Sequence, residues 1–441
     1  MRLVCTALLS FLFACTSPPP PSTAIAITNV TLIDGTGRAP VPGASIVVDA
    51  GRIVAAGPRV EIPAGAARVD GTGKHAVPGL MDLHVHLGST GGPGFFPENY
   101  TRERILANLK AYLRYGITTV RSVGTEREAG MAIRGEQREG KLATARLFTA
   151  GRGFTAPGGH PSQEIGDIAR QPRDAAAARA EVSELAAQKV DLIKIWIDDG
   201  PGRPKIARPV IEAIVDEAKK HSIPVVAHIR FQDDARHLLD AGGAGFLHMI
   251  RDVDEPDADL VRDLKARRVV FTPTLIRQEL AWLYHDEPER LDDPEVALLL
   301  DGATLRSMRA AAAKQPDPSP QLKLEFDRAL ANSRKVANAG IPIAVGSDGG
   351  SQMDLPGLMT HRECELLARA GFSPMEVITA ATLNGAIALG KEAELGAIRE
   401  GRRADIVLLD ADPAADVKNL RSIRRIMLDG AWVDRDALAV K

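Results

Sequence analysis

Cysteine is nearly absent from this chain: 441 residues carry three, Cys5, Cys15 and Cys364. Only Cys364 lies in the body of the protein, so an internal disulfide is excluded, and so is a structural zinc site built on clustered thiolates. The core must hold the fold. Aromatic residues are also scarce, at 4%, and no basic run accompanies the formal net charge of −2. Those shortages argue against a nucleic-acid surface of basic patches and stacking rings. The apolar run after Arg2, LVCTALLSFLFAC, is too short to span a bilayer. What remains is a globular chain, 25% charged, long enough for two or three domains or for one large barrel.

The N-terminal run reads as a secretory signal over residues 1–14. It ends on Leu12-Phe13-Ala14-Cys15, which is similar to a bacterial lipoprotein cleavage box, with Phe13 bulkier than that pattern usually has. The expectation is an exported protein of the bacterial envelope or periplasm, lipid-anchored at Cys15. Residues 15–24, with SPPPPS, then form a stiff tether, and membrane contact comes only through that lipid. Ordinary secretion without the lipid is the alternative.

From 25 to 77 the chain alternates apolar and polar residues with turn punctuation, as in AIAITNVTLID and ASIVVDAGRIVAAG. The texture returns over 392–441, so both ends are expected to build one small β-domain, a sandwich. Between them, over 78–391, short apolar strands alternate with helical segments. The strands are LMDLHVHL, 117–124, 146–151, 191–198, 223–230, 245–250, 269–275 and 341–349. Eight such repeats predict an α/β fold, a (β/α)8 TIM-type barrel. The stretch 277–339 is too long for a connection and reads as a lid insertion over the mouth.

Four of the ten histidines, His84, His86, His228 and His248, fall on predicted barrel strands, with Lys194 on the fourth and Asp348 ending the eighth. In GLMDLHVHLG, period-two alternation puts Asp82, His84 and His86 on one face and Met81, Leu83, Val85 and Leu87 on the other. The apolar face is expected outward on helices and the imidazole face inward. Imidazoles gathered at a barrel mouth are ligands for zinc and related divalent ions. Lys194 has two readings: a salt bridge to Asp198 or Asp199, or a neutral amine that has added carbon dioxide to become a carbamate bridging two metals. His75, His221, His237, His285 and His361 read as solvated or capping residues.

The segments VDGTGKHAVPGLMDLHVHLG, GSDGG, AATLNGAIALG and GAIREGRRADIVLLDADP resemble those of the amidohydrolase superfamily, in its two-metal branch, near imidazolonepropionase-like enzymes and metal-dependent Xaa-Pro-type dipeptidases. The resemblance implies His84, His86 and Asp348 on the more buried metal and His228 and His248 on the second. Carboxylated Lys194 would bridge both. The ions would be Zn2+, with Mn2+, Co2+ or Fe2+ as alternatives. Asp348 would be the catalytic proton shuttle to and from a hydroxide bridging the metals. Ser122 departs from the pattern, where relatives often carry aspartate.

For the substrate, Arg230 shares the parity of His228 and is a candidate carboxylate clamp, with Arg251 as a second and a salt bridge of Arg230 to Asp233 or Asp234 as its alternative. His160, in FTAPGGHPS, is a candidate donor to the substrate carbonyl. Trp282 and Tyr284 read either as a subsite wall or as packing. The leading expectation is hydrolysis of the C–N bond of a dipeptide or N-acyl amino acid. The alternatives are a cyclic amide, lactone or ester at the same centre, and an inactive binding protein tethered at the envelope. Beyond a small-molecule or dipeptide substrate no partner is indicated, and homo-oligomer formation stays open.

Overall fold

The computed structural model describes residues 23–88, 92–94, 96–197, 202–350 and 352–439. The signal, Cys15 and most of the tether lie outside the described residues, as do Asp198 and Asp199.

The chain opens with five strands, β1 (Ile25–Leu32), β2 (Val41–Asp49), β3 (Arg52–Gly57), β4 (Ala67–Asp70) and β5 (His75–Pro78). Seven strands run through the middle: β6 (Leu80–Val85), β7 (Ile117–Ser122), β8 (Arg146–Thr149), β9 (Ile193–Trp196), β10 (Val225–His228), β11 (Gly245–Leu247) and β12 (Val270–Thr272). The chain ends with β13 (Ile406–Leu409), β14 (Ile423–Leu428) and β15 (Ala431–Trp432).

Both chain ends enter one eight-stranded sheet of order β15-β14-β13-β5-β1-β2-β3, with β4 on β1. The seam is the antiparallel pair β5·β13, in which Val77 faces Val407. The sheet curls, because the Ile53 N–H donates to the Arg402 carbonyl at 2.9 Å and Gly401 N–H donates back to Ile53 at 2.8 Å. Ile27, Ile46, Ile53, Ile406, Leu408 and Met427 then share one core. Their strand neighbours Val407, Leu409 and Ile426 turn the other way into the main core, so this end of the sheet is buried on both faces.

The middle strands form two parallel sheets, β6-β7-β8 and β9-β10-β11-β12. Parallel bridges join them at Phe154 with Ile195, Phe271 with Ile343 and Val85 with Gly349, so eight parallel segments succeed one another in a ring. Helices lie between successive strands. Arg208–Lys220 is representative: proline in its first turn, Val210, Ile211, Ile214 and Ala218 buried along one stripe, and Lys219 and Lys220 in its last turn against the negative end of the helix dipole.

The eighth segment, 341–349, makes isolated bridges rather than a ladder. Asp348 has a φ of 59° and Gly350 of 107°, and left-handed residues cannot continue a pleated strand.

The alternation expected for the first strand of the ring does not hold. Met81 pairs with Thr119 and Asp82 with Val120, but Val85 pairs with Ser122, so the register slips between Asp82 and Val85. Such a slip reverses the face that the next residues of the strand present. Met81 and Leu83 pack with Phe148, Val270 and Ala344 inside the ring. Asp82 points away from the histidines' cavity: its carboxyl accepts the Ser347 hydroxyl and the Thr360 hydroxyl, each at 2.6 Å, the latter from the outer helix Leu358–Arg369.

Within 277–339, Pro320–Asn338 is the helix preceding the last segment of the ring, capped by Ser319 after the PDPSP break. The short helices before it are tied to the flank of the ring, with Glu295 on Arg114 at 3.1 Å and Glu279 on Arg362 at 2.7 Å.

Candidate metal centre

Asp348 gathers the site. Its Oδ1 lies 3.0 Å from Nε2 of His84 and 3.0 Å from Nε2 of His86. Its Oδ2 lies 3.9 Å from Nε2 of His248 and 3.5 Å from Nε of Arg277. The ligand-type atoms of His84, His248 and Asp348 all fall within 4.8 Å of one another. His228 packs edge-on against His248, ring centroids 4.2 Å apart, and His160 lies 5.4 Å from His228. Lys194 lies beneath them, fully buried, its Nζ 5.1 Å from the Trp196 ring.

The local backbone explains how these side chains reach one another. His84 lies within the register slip of β6, and His86 just past the end of that strand. His248 and Asp348 sit just past the ends of their strands with φ of 67° and 59°. Thr274, with φ of 50°, places its hydroxyl against Nδ1 of His248. Three non-glycine residues in the left-handed region around one cavity is stored strain of the kind that persists where a site requires it.

Buried atoms test whether this donor set suits a metal. Nδ1 of His84, Nε2 of His248 and Nζ of Lys194 are buried without a hydrogen-bond partner among the described residues, while Nε2 of His84 meets only Asp348. Burial pulls the pKa of His84 down to about 3 and those of His248 and Lys194 well below their usual values, so these groups are neutral. Burial opposes ionisation of Asp348, but the His84 and His86 imidazoles outweigh it and hold the carboxyl well below its usual range. Neutral imidazoles and an amine around a carboxylate, with lone pairs unclaimed, match a divalent cation. Two ligand atoms about 2.0–2.2 Å from a common ion stand roughly 3 Å apart, the spacing of Asp348 from both histidines.

The site opens into a cavity of about 300 Å3, with His86, His160, Trp196, Arg251, Arg277 and Asp348 among its lining residues. Its volume fits a small molecule rather than a polymer.

Arg230 is not brought to this cavity. β10 ends at His228, so strand alternation does not carry on to residue 230, and the guanidinium turns to Glu325 of the helix Pro320–Asn338. Asp234, its expected partner, pairs with Lys205 at 2.7 Å. Arg251 does line the cavity, donating to the carbonyls of Ile229 and Met249. His160 lines it with Nδ1 on Arg203 at 2.6 Å. Trp282 and Tyr284 are packing residues: Trp282 stands edge-on to Phe326, and the Tyr284 hydroxyl donates to the Met353 carbonyl. Among the lining residues that the sequence did not single out are Arg277 and Trp196. Arg277 comes after the seventh strand at the mouth, a position whose signal was its place rather than a motif. Trp196 shares the inward parity of Lys194 and stacks on His86 at 6.2 Å. Ser122 donates to Glu126 at 2.6 Å, and burial raises that carboxyl to about 7, so Glu126 serves the hydrogen bonding at this position.

The Amidohydrolase family model matches residues 75–433. The imidazolonepropionase of Streptomyces griseus subsp. griseus is 26% identical over 389 residues, spanning 86% of this chain and 89% of that protein. A candidate prolidase from Bifidobacterium longum is similar in structure, with a TM-score of 0.76, 27% identity and coverage of 95% of this chain and 98% of the other. A Xaa-Pro dipeptidase solved with methionine in its active site gives a TM-score of 0.74 at 22% identity, covering 93% of this chain and 100% of its own. With a match that runs from β5 to the last strands and a His/Asp cluster suited to a metal-dependent hydrolase, the chain belongs to the amidohydrolase family.

Proposed function

We propose that this chain is a binuclear metal-dependent hydrolase that cleaves the amide C–N bond of a dipeptide or N-acyl amino acid. One observation carries the reading: a buried cluster of His84, His248 and Asp348 with Lys194 beneath it lies at the end of a small cavity that also presents Arg251 and Arg277. In this reading His84, His86 and Asp348 would hold one ion and His228 and His248 a second, with Lys194, carboxylated by carbon dioxide, as a further ligand. Bound Zn2+, or Mn2+, Co2+ or Fe2+, would acidify water and polarise the scissile carbonyl.

The protein's own groups supply the rest. Asp348 Oδ1 faces two imidazoles, while Oδ2 is turned towards His248 and Arg277. Oδ2 is therefore the oxygen that takes a proton from the attacking water and passes it to the leaving nitrogen. Arg277 and Arg251, which line the cavity, bind the substrate carboxylate, a role that Arg230, turned out of the cavity onto Glu325, does not fill. His160, oriented by Arg203, donates to the substrate carbonyl. Trp196 walls the cavity beside His86 and excludes water there.

The fold around this site is read as a TIM-type barrel over 78–391, with the curled sheet of 25–77 and 392–441 as a small sandwich domain. Export and lipidation at Cys15 complete the proposal, placing the enzyme at the bacterial envelope. The decisive experiment is a screen of metal-loaded protein against dipeptides and N-acyl amino acids, with cyclic amides, lactones and esters alongside. Release of free amine from the first set supports the reading. Preferential opening of lactones would move the substrate class to the alternative. Failure to take up zinc or manganese at saturation would overturn the enzyme altogether.

A further inference from the structure

At the other end of the ring lies a second cavity of about 470 Å3. Phe148, Leu192, Val226 and Val270 wall it, and Arg268 and Lys391 stand at its rim. Arg121 forms its floor, only 3% exposed. The Arg121 Nε donates to the Leu83 carbonyl at 2.8 Å and Nη2 reaches the Thr272 hydroxyl at 3.5 Å. Neither partner carries charge, and no carboxylate among the described residues comes within ion-pair distance of this guanidinium. Asp82 influences it only from a distance, its own oxygens being taken by Ser347 and Thr360.

Burial lowers the Arg121 pKa to about 10, which still leaves the group charged near neutrality. A buried guanidinium without a counter-ion is costly, and such groups are normally paired. Asp191, which also borders the cavity, is already neutralised by Arg134 at 2.8 Å and Arg138 at 2.6 Å. Arg268 and Lys391 make no ion pair among the described residues, so they add positive charge that nothing in the cavity cancels. The volume lies within the range of small-molecule sites, and the lining is about equally apolar and polar.

We propose that this cavity binds a small amphipathic carboxylate, its head on the Arg121 guanidinium and its hydrocarbon body along Phe148, Val226 and Val270. A planar carboxylate matches the guanidinium fork, and Nη1 makes no hydrogen bond to a described residue. The apolar part of the lining, Phe148, Leu192, Val226 and Val270, favours a tailed acid over a bare inorganic anion. The site is separate from the candidate metal centre, with which it shares no lining residue.

The test is isothermal titration of the purified full-length chain with hexanoate, its neutral isostere hexanamide, and inorganic phosphate. Hexanoate should bind at least tenfold more tightly than hexanamide or phosphate. Arg121→Met should abolish that binding. Should that variant not fold, the rim variant Arg268→Glu/Lys391→Glu decides: it should weaken hexanoate at least fivefold at low salt. Asp348→Asn, at the other end of the ring, should leave the affinity unchanged. Equal binding of hexanamide, preference for phosphate, indifference to rim charge, loss of binding in Asp348→Asn, or no binding of hexanoate would each overturn the proposal.

Discussion

Nε2 of His84 lies 3.0 Å from Oδ1 of Asp348, although the two residues come from the first and last segments of the ring. The contact closes the ring at its chemical end. It makes the carboxylate both an organiser of imidazoles and, through its other oxygen, the group best placed to move a proton.

Asp348→Asn keeps the shape and removes the proton acceptor. Turnover should fall by about 10²–10⁴-fold, the usual worth of a general base, with far-UV circular dichroism unchanged. Near-normal kcat would remove Asp348 from the proton path.

The Lys194 amine is buried with no hydrogen-bond partner among the described residues. Lys194→Ala should lower the bound metal, counted by mass spectrometry, to below two ions per chain. Short carboxylic acids should restore part of the activity by occupying the space of the carbamate. Two tightly held ions in the variant would sink the bridging role.

The Thr274 hydroxyl meets Nδ1 of His248. Thr274→Val keeps the volume and deletes that partner, so metal affinity should drop by about 10–100-fold, as for other groups that orient a ligand. Competition with a chelator measures it; an unchanged affinity would show that packing alone orients the ring.

Arg277→Met should raise KM for substrates bearing a free carboxylate, by about 1.5–3 kcal/mol of lost charge-assisted hydrogen bonding, and leave amidated substrates much less affected. Arg230→Met is the control, because its guanidinium is held by Glu325. Equal KM effects in the two variants would contradict the assignment.

His361 is fully buried and its Nε2 hydrogen-bonds the Tyr115 carbonyl at 2.9 Å. Burial lowers its pKa to about 4 from 6.5, so the unfolded chain takes up a proton there before the folded one does. Its contribution to stability is therefore complete above pH 6.5 and is lost as pH falls towards 4. Urea unfolding at pH 7.5 and pH 5 should show a smaller difference for His361→Gln than for the parent. Parallel losses would place the acid sensitivity elsewhere.

The helices of the middle of the chain were legible because each buries one stripe at a helical period, and the strands because they are short continuous apolar runs, buried on both faces, between those helices. So was the common texture of the two ends, which enter one sheet through β5 and β13. The imidazoles of β6 stood out because histidine is rare on a buried strand. The sequence by itself thus determined the residue types able to form a metal site and the order of elements that carries them. Three matters were decided only in the tertiary structure. The register slip in β6 turned Met81 and Leu83 inward and Asp82 towards Thr360, since backbone pairing overrode simple alternation. Glu325, far along the chain, took Arg230 away from the mouth while Arg277 reached it. Arg121 came to face a cavity without a counter-ion because its neighbours come from several different strands. Each depends on which distant group arrives at a given point in space, and a local pattern cannot encode that.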